Sequence, residues 1–240
     1  ASYSGQTGRH ALISALKGYI GGFGTAIAMD TAAAATVADT LSLMYTCSAD
    51  VDGSGDIGEG ETGLCDGDNH GISTTPEAKQ TTFGDISGGK YISGKIAGGD
   101  ATGQSTDWNT DGIVGWGDAE VVTPDGLVKK WFEMISANAT AIADGQFAQT
   151  PGGEDITKPH VTAEGHDLQQ LVQKFLLGAV TFSQGADDYT DYDETDAFGT
   201  DLVAGKKGLY ADNTALKDGK NYTNLEHVWD EGFGYFGAAA

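Results

Sequence analysis

The sequence predicts a mainly α-helical protein interrupted by a long glycine- and aspartate-rich insert. Three observations carry that expectation. Apolar residues recur at helical spacing in five stretches outside residues 47–121. Within residues 47–121 the helical period is lost and glycine and aspartate dominate. Two segments of that insert also repeat the ligand spacing of a calcium-binding loop. The 37 glycines are roughly twice the usual share of ~7%, which fits tight, irregular connections. Residues 1–240 read as a single helical domain, long enough to bury a substantial core, with 47–121 as its irregular insert.

The elements follow in order. Thr7–Tyr19 reads as a helix, with Leu12, Ile13, Leu16 and Tyr19 on one face. Ala32–Thr46 is a second, alanine-rich helix with Val37, Leu41 and Met44 inward. Inside the insert, Tyr91-Ile92-Ser93 suits either a short strand or a short helix. Gly126–Ala143 follows a Pro124-Asp125 turn and directs Leu127, Val128, Trp131, Met134 and Ile135 inward. Residues 145–162 read as a loop. Ala163–Gln184 has the clearest period, through Leu168, Leu171, Val172, Phe175, Leu176, Ala179 and Phe182. Asp187–Asp201 reads as an acidic loop, and Asn221–Phe236 as the last helix.

The strongest chemical motif is Asp50-Val-Asp-Gly-Ser-Gly-Asp-Ile-Gly-Glu-Gly-Glu61. Calcium takes six to eight oxygens, and a twelve-residue loop supplies them only if it coils tightly. Asp50, Asp52, Ser54 and Glu61 stand at loop positions 1, 3, 5 and 12, and Asp56 at position 7, which ligates through its main-chain carbonyl. Gly55 permits the sharp turn and Ile57 anchors the loop inward. A second copy, residues 107–118, places Asp107, Asn109, Asp111, Ile113 and Asp118 at positions 1, 3, 5, 7 and 12, with Gly112 and Val114 in the supporting positions. Asp118 is one methylene shorter than glutamate, so this loop is expected to bind calcium more weakly or to tolerate magnesium, unless Glu120 swings in. A third stretch, Asp66–Glu77, lacks the apolar anchor and reads as a plain loop. The flanks do not supply a helix on each side of either loop, so these are isolated calcium loops, as in dockerin-type modules. With 3 methionines there is no Met-rich groove for a calcium sensor to open.

Net charge is −22, with 35 acidic against 13 basic residues, and the isoelectric point is near 4.2. Aspartates outnumber glutamates, which favours turns, caps and cation ligation over helix surfaces. Such charge disfavours nucleic acid and anionic membrane surfaces as partners. Cys47 and Cys65 bracket the first calcium loop, and a disulfide between them would brace it in an oxidising compartment. No apolar run reaches the ~20 residues of a transmembrane helix. An opening Ala-Ser-Tyr-Ser without methionine suits a processed, exported protein. The expected location is therefore the bacterial cell surface, periplasm or exterior.

Near the C-terminus, Leu225-Glu-His-Val-Trp-Asp-Glu-Gly-Phe-Gly-Tyr-Phe-Gly237 resembles the His-Trp-Asp-Glu-Ala-Phe-Gly-Tyr signature of the imelysin-like family of exported bacterial proteins. The opening Ser4-Gly5-Gln6-Thr7 and the helix Gln170–Phe182, with Lys174 and Leu177-Gly178-Ala179, are similar to that family as well. The resemblance covers about half the chain and leaves the calcium-bearing insert outside the common pattern. It implies an imelysin-like helical bundle, a link to iron acquisition, and further helices beyond the signature. It also draws attention to His227, Asp230 and Glu231 as a possible second metal site. Their spacings of three and four place them on one helix face.

A zinc hydrolase wants three protein ligands and a general base. No His-Glu-x-x-His is present, and His10, His70, His160 and His166 are scattered. A polar network that holds helices together, with Trp229, Phe233 and Tyr235 packing around it, accounts for the same residues. No nucleophile, phosphate-loop or dinucleotide motif is present. The expectation is a non-enzymatic protein stapled by two calcium ions, with copies of itself or another surface protein as partner. An imelysin-like metal-uptake component and a metallopeptidase are the alternatives.

Overall fold

The computed structural model describes residues 4–26, 31–46, 91–98, 123–194 and 201–236. Both calcium motifs, the third acidic stretch Asp66–Glu77, and Cys47 and Cys65 lie outside the described residues. The described chain is mainly helical. Its helices are α1 (Ser4–Ala26), α2 (Thr31–Ala35), α3 (Val37–Thr46), α4 (Pro124–Ala143), α5 (Leu168–Thr181), α6 (Leu202–Gly205) and α7 (Asn224–Tyr235). α5 runs on as a π-helical segment, Phe182–Tyr189. β1 (Ala148–Gln149) and β2 (Asp155–Ile156) form a small antiparallel hairpin within the stretch expected to be a loop.

Two compact units emerge. One gathers Thr7–Ile92 and Val128–Leu176. Its core follows the predicted faces: Leu12, Ile13 and Leu16 are buried, as are Val37, Leu41, Met44, Val128, Trp131, Ile135, Leu168, Val172 and Leu176. Edge-to-face pairs join Tyr45 to Phe132 at 5.6 Å and Trp131 to Phe175 at 5.3 Å between ring centroids. Polar ties accompany them. Arg9 Nε donates to the Tyr91 carbonyl at 2.9 Å, and Gln169 Nε2 donates to the Lys17 carbonyl at 3.0 Å.

The other unit comprises Ala1–Gln6, Ser93–Leu127 and Leu177–Ala240. Its described apolar core is small, including Ile96, Ala97, Leu127, Val180, Leu202, Ala211 and Tyr235. Tyr91-Ile92-Ser93 leads into a single 3₁₀ turn, Ser93–Lys95. Thr123 caps α4, its Oγ1 accepting from Gly126 N at 3.0 Å, with Pro124 at the favoured first helical position. Asp125 N donates to the Ala97 carbonyl at 3.2 Å. Gly98 has φ +78° and lies so close to Thr123 that a β-carbon would collide with its side chain. Gly98 and Thr123, the residues that flank 99–122, are therefore neighbours in space.

Several boundaries differ from expectation, each for a local reason. The predicted helix 32–46 breaks at Thr36, whose Oγ1 donates to the Ala33 carbonyl and competes with the helical ladder. α5 starts at Leu168 rather than Ala163, because Asp167 Oδ1 accepts from Gln170 N as a cap and Gly165, at φ +86°, turns the chain just before it. α7 starts at Asn224 because Thr223 and Glu226 form a reciprocal capping box. The beginning of the expected acidic loop at Asp187 is instead the end of the π segment.

Candidate functional site

The chemistry-bearing residues of the second unit converge where α7 meets the π segment. Polar residues face inward along that segment. Ser183 and Gln184 are fully buried, and Asp187 and Asp191 nearly so. A π helix bonds residue i to i+5, so residues four and five apart lie over one another. Ser183 thus lies over Asp187 and Asp188, and Gln184 over Asp188. Thr190 Oγ1 donates to the Gly185 carbonyl at 2.6 Å and closes the last turn. Thr181 Oγ1 shares its proton between the Leu177 carbonyl and the Tyr235 carbonyl, at 2.7 and 3.1 Å.

α7 approaches through its glycines. A β-carbon on Gly232 would stand 3.2 Å from both Tyr189 Cβ and Thr190 Cγ2. At Gly234 it would meet the Gln6 side chain at 3.5 Å. That close approach brings Glu231 to the Tyr189 hydroxyl, which donates to its carboxylate. Tyr189 also stacks on Tyr235 at 6.0 Å, and the Lys95 ammonium lies over its ring at 5.5 Å. His227 Nε2 stands 3.6 Å from Glu231 Oε1, one helical turn away, and its ring stacks on Tyr222 at 5.4 Å.

Burial dominates the electrostatics here. It raises the Asp188 carboxyl to about 6, against the pull of Lys95 and Lys207 and with a further push from Asp191 and Asp187. Burial first, then the hydrogen bond to Glu231, keeps the Tyr189 phenol protonated well beyond the ordinary tyrosine range. In the other unit, burial lowers the ionisation of His10 and of His160 below the ordinary histidine value.

Residues 113–240, just over half of the chain, match DUF4856, a domain of unknown function. The chain belongs to the DUF4856 family. No curated protein and no solved structure matches it. The matched region holds α4 to α7, the whole polar cluster apart from Gln6 and Lys95, and the second half of the 107–118 calcium motif.

Of the possible second metal site, His227 and Glu231 come together in this DUF4856 chain. No ion pair joins Asp230 to His227 among the described residues. Nor do three or more His, Cys, Asp or Glu side chains assemble there into a group able to hold a metal ion. The expected packing around His227 is corrected in part. Tyr235 is buried, but Trp229 and Phe233 are 58% and 50% exposed. Phe182, expected inward, is 49% exposed, because the switch to π geometry turns the inward face over to Ser183 and Gln184. Lys95, Ser183, Gln184, Asp188 and Tyr189 were not marked by any motif, and Gln6 only as part of the opening Ser4-Gly5-Gln6-Thr7. The one signal in the sequence was Asp187-Asp188-Tyr-Thr-Asp191 directly after an amphipathic helix, a run that reads equally well as a solvated loop.

Proposed function

We propose that this DUF4856 member is an exported, non-enzymatic calcium-binding protein of the bacterial surface or periplasm. Two calcium ions, with a Cys47–Cys65 disulfide, rigidify the glycine-rich insert. The observation that carries the reading is the ligand spacing of Asp50–Glu61, repeated in Asp107–Asp118. Its support from the fold is the base of the second loop. Ala97–Gly98 against Thr123–Asp125 brings together the residues that flank 99–122, so the span within which residues 107–118 must coil is bounded. Extracellular calcium is abundant, so modest affinity suffices for a structural staple. At −22 per chain, calcium also relieves repulsion between neighbouring copies, which favours self-assembly.

A second reading, an imelysin-like metal-uptake component, draws on the His227–Glu231 pair within the signature-bearing helix. Among the described residues only these two groups come together there, fewer than the three protein ligands a transition-metal site ordinarily needs, so the calcium reading is preferred, and a metallopeptidase is disfavoured on the same ground. Mass-spectrometric metal counting on loop variants tests the choice. Asp52→Ala and Asp111→Ala should each remove one calcium ion, and the double variant both. A double variant that keeps the wild-type calcium content would overturn the assignment of these loops.

A further inference from the structure

We infer that the exposed aromatic stripe of α7, Trp229, Phe233 and Phe236, docks a basic amphipathic segment of another protein. At 3.6 residues per turn, positions 229, 233 and 236 fall within about 60° of one another around the helix axis. Phe236 caps α7 with its backbone still in right-handed helical geometry, and its N–H donates to the Phe233 carbonyl at 3.1 Å. The three rings therefore share one face of one helix. They are 58%, 50% and 60% exposed. The packed face of α7 lies to one side of them, where Gly232 and Tyr235 are buried and Gly232 approaches Tyr189 and Thr190. The Phe236 ring lies against Gly185 and ties the end of the stripe to the π segment. Grouped exposed apolar side chains mark an interaction site, whereas single scattered ones do not.

Charge identifies the occupant. On the side of the stripe away from the packed face stand Glu226 and Asp230, about 60° and 100° around the axis from Trp229. α7 carries Glu226, Asp230 and Glu231 and no lysine or arginine, within a chain of net charge −22. A segment that lays apolar side chains on the rings and lysine or arginine along one edge matches both features. Its cations also gain from the face of the Trp229 indole. A second copy fits this face poorly. Three rings of this exposure offer roughly 300 Å², against ~800 Å² a side in a stable interface. A second copy of α7 would also bring a helix of the same charge to the stripe.

Fluorescence anisotropy of a labelled Leu/Lys amphipathic peptide of ~14 residues, about four helical turns, tests the inference on the full chain in saturating calcium. The expected result is saturable binding, at least about tenfold tighter than that of a peptide of the same composition whose leucines are scattered around the helix. The Trp229→Ser, Phe233→Ser double variant should bind about tenfold more weakly or worse, while its melting temperature stays within about 2 °C of wild type, because both rings stand largely outside the core. Asp230→Lys should weaken binding by about fivefold or more with the rings intact, which keeps the test decisive if the double variant folds poorly. Equal affinity of wild type for the two peptides would show that bulk charge alone attracts them and would overturn the inference. So would the absence of saturable binding, or binding that survives both the double substitution and Asp230→Lys. A peptide that fails to bind where the neutral oligosaccharide cellohexaose binds, and loses its hold in the double variant, would overturn it in favour of a glycan platform.

Discussion

At Asp188, burial outweighs two lysines. Its carboxyl ionises near 6 in the folded chain, above the ordinary 3.8, so the folded state holds its proton more tightly than the unfolded state does. The resulting stabilisation is fully present below about pH 4 and is lost as the pH rises through 6. A rise from 3.8 to about 6 corresponds to an upper bound of about 3 kcal/mol, reduced by whatever solvent reaches the group. Asp188→Asn should therefore raise the melting temperature at pH 7–8 and change it little at pH 4. A gain of equal size at both pH values would show that charge at this position is not the cause. Gly208 offers a second residue-scale test. At φ +55°, a β-carbon there would run into the Asp191 carbonyl, which already accepts from Leu209 N at 2.8 Å. Gly208→Ala should cost about 2–4 kcal/mol in denaturant unfolding, through strain and a backbone clash together. A loss under 1 kcal/mol would contradict that packing.

Elements were legible where cap and period agreed. α4 carries Thr123-Pro124-Asp125 at its start and a regular apolar face behind it, so propensity, capping and burial all favour one helix. α7 is held at its N-terminus by the Thr223–Glu226 capping box. Thr223→Ala should lower stability by about 1 kcal/mol, read as a melting temperature lower by about 2–4 °C, and an unchanged melt would show that the cap is dispensable. The π segment was not legible, and the reason is physical. Periodicity arguments assume 3.6 residues per turn, and beyond Thr181 the chain leaves that geometry just where its inward side chains become polar. Thr181, bonded back to Leu177 and across to Tyr235, marks the change, but the Tyr235 contact lies 54 residues away in sequence and no local pattern announces it. Phe182 was assigned inward for the same reason. The paired groups His227 and Glu231, four apart on a regular helix, were legible because α-helical spacing alone brings them together.

Over the whole molecule, two kinds of order divide the work. The unit built around α1, α3, α4 and α5 has a conventional apolar core that the sequence period anticipates. Among the described residues, the unit that contains α7 has a sparser apolar core and a polar interior, and Gly98 and Thr123, which flank residues 99–122, meet within it. On the calcium reading, ions supply what apolar burial does not. Reduction of the Cys47–Cys65 bridge should then lower the melting temperature more in EDTA than in calcium, since each staple limits what the loss of the other can do; equal losses in both buffers would separate the two. The calcium motifs stand out in the sequence because their ligand spacing is set within twelve residues, whereas the packing of α7 on the π segment joins residues that lie far apart in sequence. The most direct measurement is the metal content of protein purified without chelator, followed by melting in EDTA and again after calcium is restored. Near two calcium ions per chain, with a melting temperature that falls by about 5–10 °C or more in EDTA and returns with calcium, is the predicted result. A chain that carries no calcium, or a stoichiometric iron or zinc in its place, with a melt indifferent to EDTA, would contradict it.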